Sequence, residues 1–550
     1  MKKRIKETFL QSIFFLVVSQ IVVKIFGMVC KLYLTNKQEF GDIGNAIQGG
    51  SFQIYTLFLS FSIIGIPSAV SRMVAEKGTI GDNRGANRIF KISLVLYTII
   101  GLVESYVLFY FAKSISNYFL FMPETELSIQ LLAPSLCFVS ISSVFKGYFN
   151  GREKMRVTAR SQSFGQIFKT IFTISLIEII GIVANRNNAE IMSALTSFSI
   201  TIGNFIELVI YYKEYKQSLS EISTEIKQSV NEQRLSVLHI IKEIMIVAIP
   251  ISISSIISTL SKNIDSFMVV GILRDIVGYE EAKKQYGILT GKVDALILLP
   301  LSFNMTIASA LLPSIAAYSK NLDKIRNRIN NCFILEFSVA IPITIFYCFF
   351  ASNIFRFLFP NAQNGSEILV ISAFSIIFIT CEQIFNSILN GIGKSKCNII
   401  AVILGMIVKV IINTILIRST NIYIGGIKGA AIATVICHFV ICICLHIFVR
   451  KHINIELKLK KNIIILIISF AICGIGKILM KKIEMLFNYK ISFMISSFFM
   501  FILYLIMLKT IKIYKKLDTR AIDKIHKKPW KIARFDVCKF KNLENSTFFW

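Results

Sequence analysis

Long apolar runs alternate with short polar stretches along all 550 residues. Fourteen runs reach the roughly 20 residues needed to cross a hydrocarbon layer. They lie at 8–35, 44–71, 89–112, 128–149, 159–183, 190–212, 237–261, 286–316, 330–353, 366–391, 397–417, 428–449, 461–480 and 491–511. Each reads as a helix, because a span in lipid has to satisfy its backbone N–H and C=O groups within itself. The pattern predicts an all-α polytopic membrane protein of about 14 transmembrane helices. Runs 2 and 8 are the longest, and Pro67 and Pro300 within them are the expected bend points. The short connections leave no room for an extramembrane catalytic domain, which argues against a glycosyltransferase or polymerase.

Charge sets the orientation. The chain is 54% hydrophobic yet carries a formal net charge of +29. Its basic residues fall in short loops between apolar runs, so anionic membrane lipids rather than nucleic acid are the expected counter-charge. Placing the N-terminus inside puts Arg72, Lys77, Arg84, Arg88 and Lys91 on the cytoplasmic side, followed by Lys146, Arg152, Lys154, Arg156 and Arg160. Lys320, Lys324, Arg326 and Arg328 join them, as do Arg450, Lys451, Lys458, Lys460 and Lys461. The opposite loops often hold a single basic residue such as Lys37, Lys113 or Arg356. The loop with Lys477, Lys481, Lys482 and Lys490 breaks this rule, and both termini come out cytoplasmic. The opening Met-Lys-Lys-Arg precedes a run too long for a signal peptide and without a small-residue cleavage site, so it begins a first membrane helix. Eleven cysteines are scattered without a CxxC pair. Cys437, Cys442 and Cys444 near His438 and His446 lack zinc-site spacing, and neither a metal nor another cofactor is expected.

The chain also repeats itself. Pro67-Ser68-Ala69-Val70 is echoed by Pro313-Ser314-Ile315-Ala316, and Tyr148-Phe149-Asn150-Gly151 by Ile388-Leu389-Asn390-Gly391, at nearly equal offsets of 313 − 67 = 246 and 391 − 151 = 240. Parallel six-helix halves with a binding site between them near the midplane are a transporter architecture. The expected organisation is a six-helix lobe over 1–212, a cytoplasmic linker over 213–243 and a second six-helix lobe over 244–450. Two further helices over 451–511 and a basic tail over 512–550 complete it.

Charges inside the apolar runs are the candidate site, since such residues persist only where a partner or a wet cavity receives them. Lys24 and Lys31 are two turns apart on one face of run 1, with Gly27 between them. Lys292 and Asp294 in run 8 point about 200° apart on a regular helix and do not neutralise each other. Lys292 is expected to face a polar cavity that takes an anion, and Arg72 closes run 2 as a further basic candidate. Such charge suits a phosphate or pyrophosphate group. Glu104, Glu178, Glu207, Asp265, Asp294, Glu336 and Glu382 also lie inside, with Lys169 or Lys409 as potential partners. Asp265 and Asp294 are the candidates for a coupling ion, proton or sodium, or for a structural role.

With these motifs in hand, the chain resembles the multidrug/oligosaccharidyl-lipid/polysaccharide exporter (MOP) superfamily, in its stage V sporulation protein B and lipid II flippase branch. The resemblance rests on Lys24-Ile25-Phe26-Gly27 with Lys31, Gly65-Ile66-Pro67 running into Ser71-Arg72-Met73-Val74-Ala75-Glu76, and YFNGREKMRVTARSQ at 148–162. Asp265-Ser266, YGILTG at 286–291, Leu299-Pro300, ALLPSIA at 310–316, ILNGIGKS at 388–395 and GGIKGAAIATVI at 425–436 add to it. It implies a two-lobed multi-pass protein of the bacterial cytoplasmic membrane, not an enzyme. Such a protein moves a polyprenyl-pyrophosphate-linked sugar across the membrane by alternating access, with lipid II for peptidoglycan or spore cortex as the expected substrate. It further implies a basic cavity formed by runs 1, 2, 7 and 8, in which Lys24, Lys31, Arg72 and Lys292 bind substrate while Asp294 matches an acidic position of run 8. Ala295 stands where those flippases usually have Arg, and Val157 where the branch often has Pro. A flippase for another polysaccharide or teichoic-acid precursor, or a drug/cation antiporter of the same superfamily, are the alternatives.

Overall fold

A computed structural model describes residues 9–62, 65–184, 188–227, 229, 236–317, 322–392, 394–453 and 460–510. The first half contains α1 (Phe9–Asn36), α2 (Gly41–Ser62), α3 (Gly65–Thr79), α4 (Asn83–Ser114), α5 (Glu126–Gly151), α6 (Met155–Ala184) and α7 (Ala189–Lys227). The second half contains α8 (Val237–Val277), α9 (Tyr279–Gly287), α10 (Asp294–Ala317), α11 (Leu322–Leu358), α12 (Ser366–Gly391), α13 (Ser395–Ile417) and α14 (Gly426–His452). α15 (Lys460–Ile483) and α16 (Tyr489–Thr510) follow. No strand occurs among the described residues, and 14 helical stretches are long and apolar enough to cross a membrane. The all-α polytopic expectation therefore holds. The basic tail over 512–550 lies outside the described residues.

Helix ends are fixed by local chemistry. Asp82 caps α4 by accepting from Gly85 N at 2.7 Å, and Ser236 caps α8 by accepting from His239 N at 3.2 Å. The two Asn-Gly motifs end their helices in the same way. Arg152 after α5 and Ile392 after α12 have nearly equal dihedrals, φ −94°, ψ 11° and φ −96°, ψ 6°. Lys154 N donates to Phe149 O and Lys394 N to Leu389 O, both at 2.8 Å. Eight residues after each Asn, a polar side chain returns to it: Thr158 Oγ1 donates to Asn150 Oδ1 at 2.8 Å, and Asn398 Nδ2 to Asn390 Oδ1 at 2.9 Å. The repeat read from the sequence thus recurs as geometry.

Two features depart from the sequence reading. The segment expected as a linker over 213–243 is mostly helix, because α7 continues to Lys227 and α8 begins at Val237. Tyr211, Tyr215, Ile222 and Ile226 keep a helical spacing and pack in one apolar cluster with Phe90, Phe145 and Tyr148. The acids of this extension pair with the basic turn after α5 and the start of α6: Arg152 with Glu225, Arg160 with Glu214, and Lys154 with Glu221 at 2.8 Å. The longest helices are accordingly α8 with 41 residues and α7 with 39, not those of runs 2 and 8.

The second departure is the geometry of run 8. Ile288–Val293 forms a π-helical turn between α9 and α10, so the irregularity sits before Pro300 rather than at it. Pro67 lies in the first turn of α3, where its missing N–H breaks no helical bond.

Candidate functional site

The site lies where the two halves meet. α2 packs against α8, α9 and the π-helical turn, and the approach is close enough to be backbone-limited. A Cβ built at Gly287 falls 1.8 Å from Asp42 O, and one at Gly291 falls 2.4 Å from Asn45 Cγ. From the other side, a Cβ at Gly49 falls 2.7 Å from Thr290 Oγ1. Glycine is the residue that allows such contact between membrane helices.

Around this seam, polar side chains cross between the halves. Asn36 Nδ2 donates to Leu358 O and Asn361 Nδ2 to Asn36 O, both at 2.8 Å. Lys283 Nζ and Tyr279 OH both engage Glu124 at 2.6 Å, and Asn263 Nδ2 donates to Gln53 O at 2.7 Å. Lys292 is the most deeply placed of the crossing groups, with a side chain that is 0% exposed. Its ammonium lies 2.8 Å from Asp42 Oδ1 and donates to Ala362 O at 2.9 Å and Asn364 O at 2.8 Å. The rings of Phe355 and Phe359 flank it at 5.5 and 6.0 Å. The expectation that Lys292 faces an open polar cavity is therefore not met in this structure. Its three N–H groups are already committed, because the π turn aims it into the seam.

The other candidates divide into two groups. Lys24, on α1, is exposed and has no hydrogen-bond or ion-pair partner among the described residues. Lys31, two turns along the same face, donates to Asn45 Oδ1 at 2.7 Å. Asp294 has Asp265, Lys409, Lys31 and His438 as its electrostatic neighbours, so it stands between Lys31 of the first half and a charged cluster of the second. Arg72 is not part of this group. It is 61% exposed on α3 and its Nε meets Glu76 Oε1 at 2.8 Å, one turn along the same helix.

Asp265, on α8, is held within the second half. Its carboxylate accepts from Lys409 Nζ at 2.8 Å, Asn413 Nδ2 at 2.9 Å and Thr434 Oγ1 at 3.2 Å, so donors from α13 and α14 meet both oxygens. Lys409 is thus an acid partner, as its position in the sequence suggested; Lys169 is not. Three further intramembrane acids find other groups: Glu178 meets Lys37 and Tyr33, Glu382 meets His438 at 2.9 Å, and Glu336 accepts from the Cys332 thiol at 3.1 Å. Sequence reasoning missed Asp42, the acid that receives Lys292. Its place in the first turn of α2, just after Gly41, reads as an ordinary helix-start signal.

Two helical halves meet on a glycine seam flanked by the basic residues of α1 and the buried Asp265–Lys409 cluster, and the class of protein is a membrane transporter of the MOP superfamily. The chain belongs to the polysaccharide biosynthesis protein family, whose profile matches residues 9–319, and the MatE profile matches residues 250–415. It is similar to the lipid II flippase MurJ of Bacillus subtilis (strain 168), 24% identical over 503 residues covering 88% of this chain and 90% of that protein. Stage V sporulation protein B of the same organism is 24% identical over 479 residues, covering 85% and 88%. Among solved structures, a lipid II flippase MurJ in an inward closed conformation superposes with a TM-score of 0.68 at 16% identity, over 92% of this chain and 99% of that one.

Proposed function

We propose that this transporter moves a polyprenyl-pyrophosphate-linked sugar from the inner to the outer leaflet by alternating access, with lipid II as the leading substrate. Helices α1–α7 and α8–α14 act as the two moving lobes, and both termini lie in the cytoplasm. The observation that carries the reading is the ammonium of Lys24, without a partner among the described residues, on the same face of α1 as Lys31. A cation exporter would place carboxylates there; ammonium groups favour phosphate oxygens through charge-assisted hydrogen bonds.

Lys292 and Asp42 serve in this scheme as an interlobe latch on the outer side, closed while the cavity faces inward. Asp294, between Lys31 and the Asp265 cluster, is the acid best placed to sense occupancy of the anion site and transmit it to the second half. Asp265 itself is structural, since its oxygens are taken by the protein's own donors.

Complementation of cells lacking their lipid II flippase tests the reading, with accumulation of lipid-linked precursor as the readout. Rescue by the wild-type chain and its loss in Lys24→Gln, at unchanged membrane abundance, is the expected result. Full rescue by Lys24→Gln together with Lys31→Gln removes the anion site. Failure of the wild-type chain to rescue, with relief of a teichoic-acid or capsule precursor block instead, reassigns the substrate within the same chemistry.

A further inference from the structure

A third basic residue lies beside α1 in the first half, and neither an ion pair among the described residues nor solvation at a helix end accounts for it. Lys169 lies on α6, which runs alongside α1. Ser19 Oγ donates to Ala159 O at 2.8 Å and Thr170 Oγ1 to Phe26 O at 3.3 Å, so residue numbers rise together along the two helices. That register sets Lys169 at the level of Phe26 and Gly27, between Lys24 and Lys31. Seven residues separate those two lysines, roughly 10 Å along the axis, so Lys169 stands about 5 Å from the level of each.

No carboxylate among the described residues receives it. The Cβ of Lys169 meets Gly203 of α7, and Glu207 is one turn further along α7, yet the cation that interacts with Glu207 is Lys146 of α5. Lys169 Nζ instead lies over the ring of Phe52 on α2, 5.9 Å from its centroid, and the Cys30 thiol of α1 is its electrostatic neighbour among the described residues. A cation–π contact at that distance offsets only part of the cost of holding an ammonium at membrane depth. A side chain kept at such a deficit is one whose partner arrives with the ligand.

We propose that Lys169 is the third ammonium of the anion site and reads the second phosphoryl group of a pyrophosphate, with Phe52 positioning it until the substrate enters. Lys24 and Lys31 alone suffice for one phosphate; adding Lys169 between them makes three donors in a row for two. This deepens the proposed function and rests on it. The ring face leaves the ammonium mobile, so it can exchange Phe52 for phosphate oxygens without breaking a salt bridge.

Purified full-length protein in lipid nanodiscs, titrated with farnesyl pyrophosphate and with farnesyl phosphate, tests the assignment. The wild type should prefer the pyrophosphate. Lys169→Met should weaken pyrophosphate binding roughly tenfold, the size of one charge-assisted hydrogen bond, and change monophosphate binding by less than about twofold. Its melting temperature should be unchanged or raised, since the variant removes a charge without stranding a partner; Lys169→Gln repeats the measurement with a polar side chain. Lys37→Gln, at the Glu178 pair, is the control and should bind as wild type. Loss of both ligands equally in the Lys169 variants, or retained preference for pyrophosphate, overturns the inference. If Lys24→Gln loses binding while the Lys169 variants do not, the inference falls and the proposed function stands. If the wild type binds neither ligand, both fall.

Discussion

The ammonium of Lys292 lies 2.8 Å from the carboxylate of Asp42, and this pair joins the two halves of the transporter at full burial of the lysine. One partner comes from the first turn of α2, the other from the π-helical turn that precedes α10. Burial makes the contact costly to break one-sidedly. Removing one member of a buried pair typically costs about 3–5 kcal/mol because the other charge is stranded. Lys292→Met is therefore expected to shift the lobes toward the state open at this end, and Asp42→Asn in the same background to restore much of the loss. Interlobe distances from paired spin labels, read through a double-mutant cycle, check this. Additive effects of the two changes would show that they do not act on one contact.

Gly287→Ala is expected to block closure of the same seam. Its Cβ would sit 1.8 Å from Asp42 O, a backbone atom that cannot rotate away. The same spin-label distances should widen, and transport should fall to background. An Ala variant that closes normally would mean that α2 can retreat without consequence for the seam.

Lys409→Met should destabilise the second half by about 3–5 kcal/mol, since Asp265 would keep only the neutral donors Asn413 and Thr434. Asp265→Asn added to it should recover most of the melting temperature. Thermal unfolding in detergent, followed by helix signal, measures both. A single variant that melts like the wild type would place little of the lobe's stability in this pair.

Arg72→Gln should leave substrate binding within error of the wild type. Its pair with Glu76 is exposed and spans one turn, an arrangement worth about 0.3–0.5 kcal/mol. Isoprenoid pyrophosphate titration against Lys24→Gln as the positive case separates these two basic candidates of the sequence. A loss comparable to Lys24→Gln would return Arg72 to the site.

The fourteen spans were legible because lipid imposes length and apolarity residue by residue. Lys409 was legible as an acid partner because a charge inside an apolar run persists only beside a partner or a wet cavity. What escaped depends on contacts far apart in the chain. Lys292 meets carbonyls of Ala362 and Asn364, some 70 residues on, and no local pattern announces a cage built partly from loop backbone. The helical continuation of α7 was hidden by its polarity. Its acids read as a mixed-charge linker, whereas they are the counter-charges of Arg152, Lys154 and Arg160. The stripe of Tyr211, Tyr215, Ile222 and Ile226 was the available signal.

The π-helical turn at Ile288–Val293 carries one residue more per hydrogen-bonded ring than an α-helix would. Were that surplus residue passed along the helix, the side chains it crossed would each swing by about 100° with little axial travel. Lys292 sits inside the turn, so such a migration would rotate it out of its carbonyl cage and away from Asp42 while the helix stayed continuous. A span that never unfolds would then change which face of itself is charged, and a translocation gate would work as a rotary key rather than as a hinge.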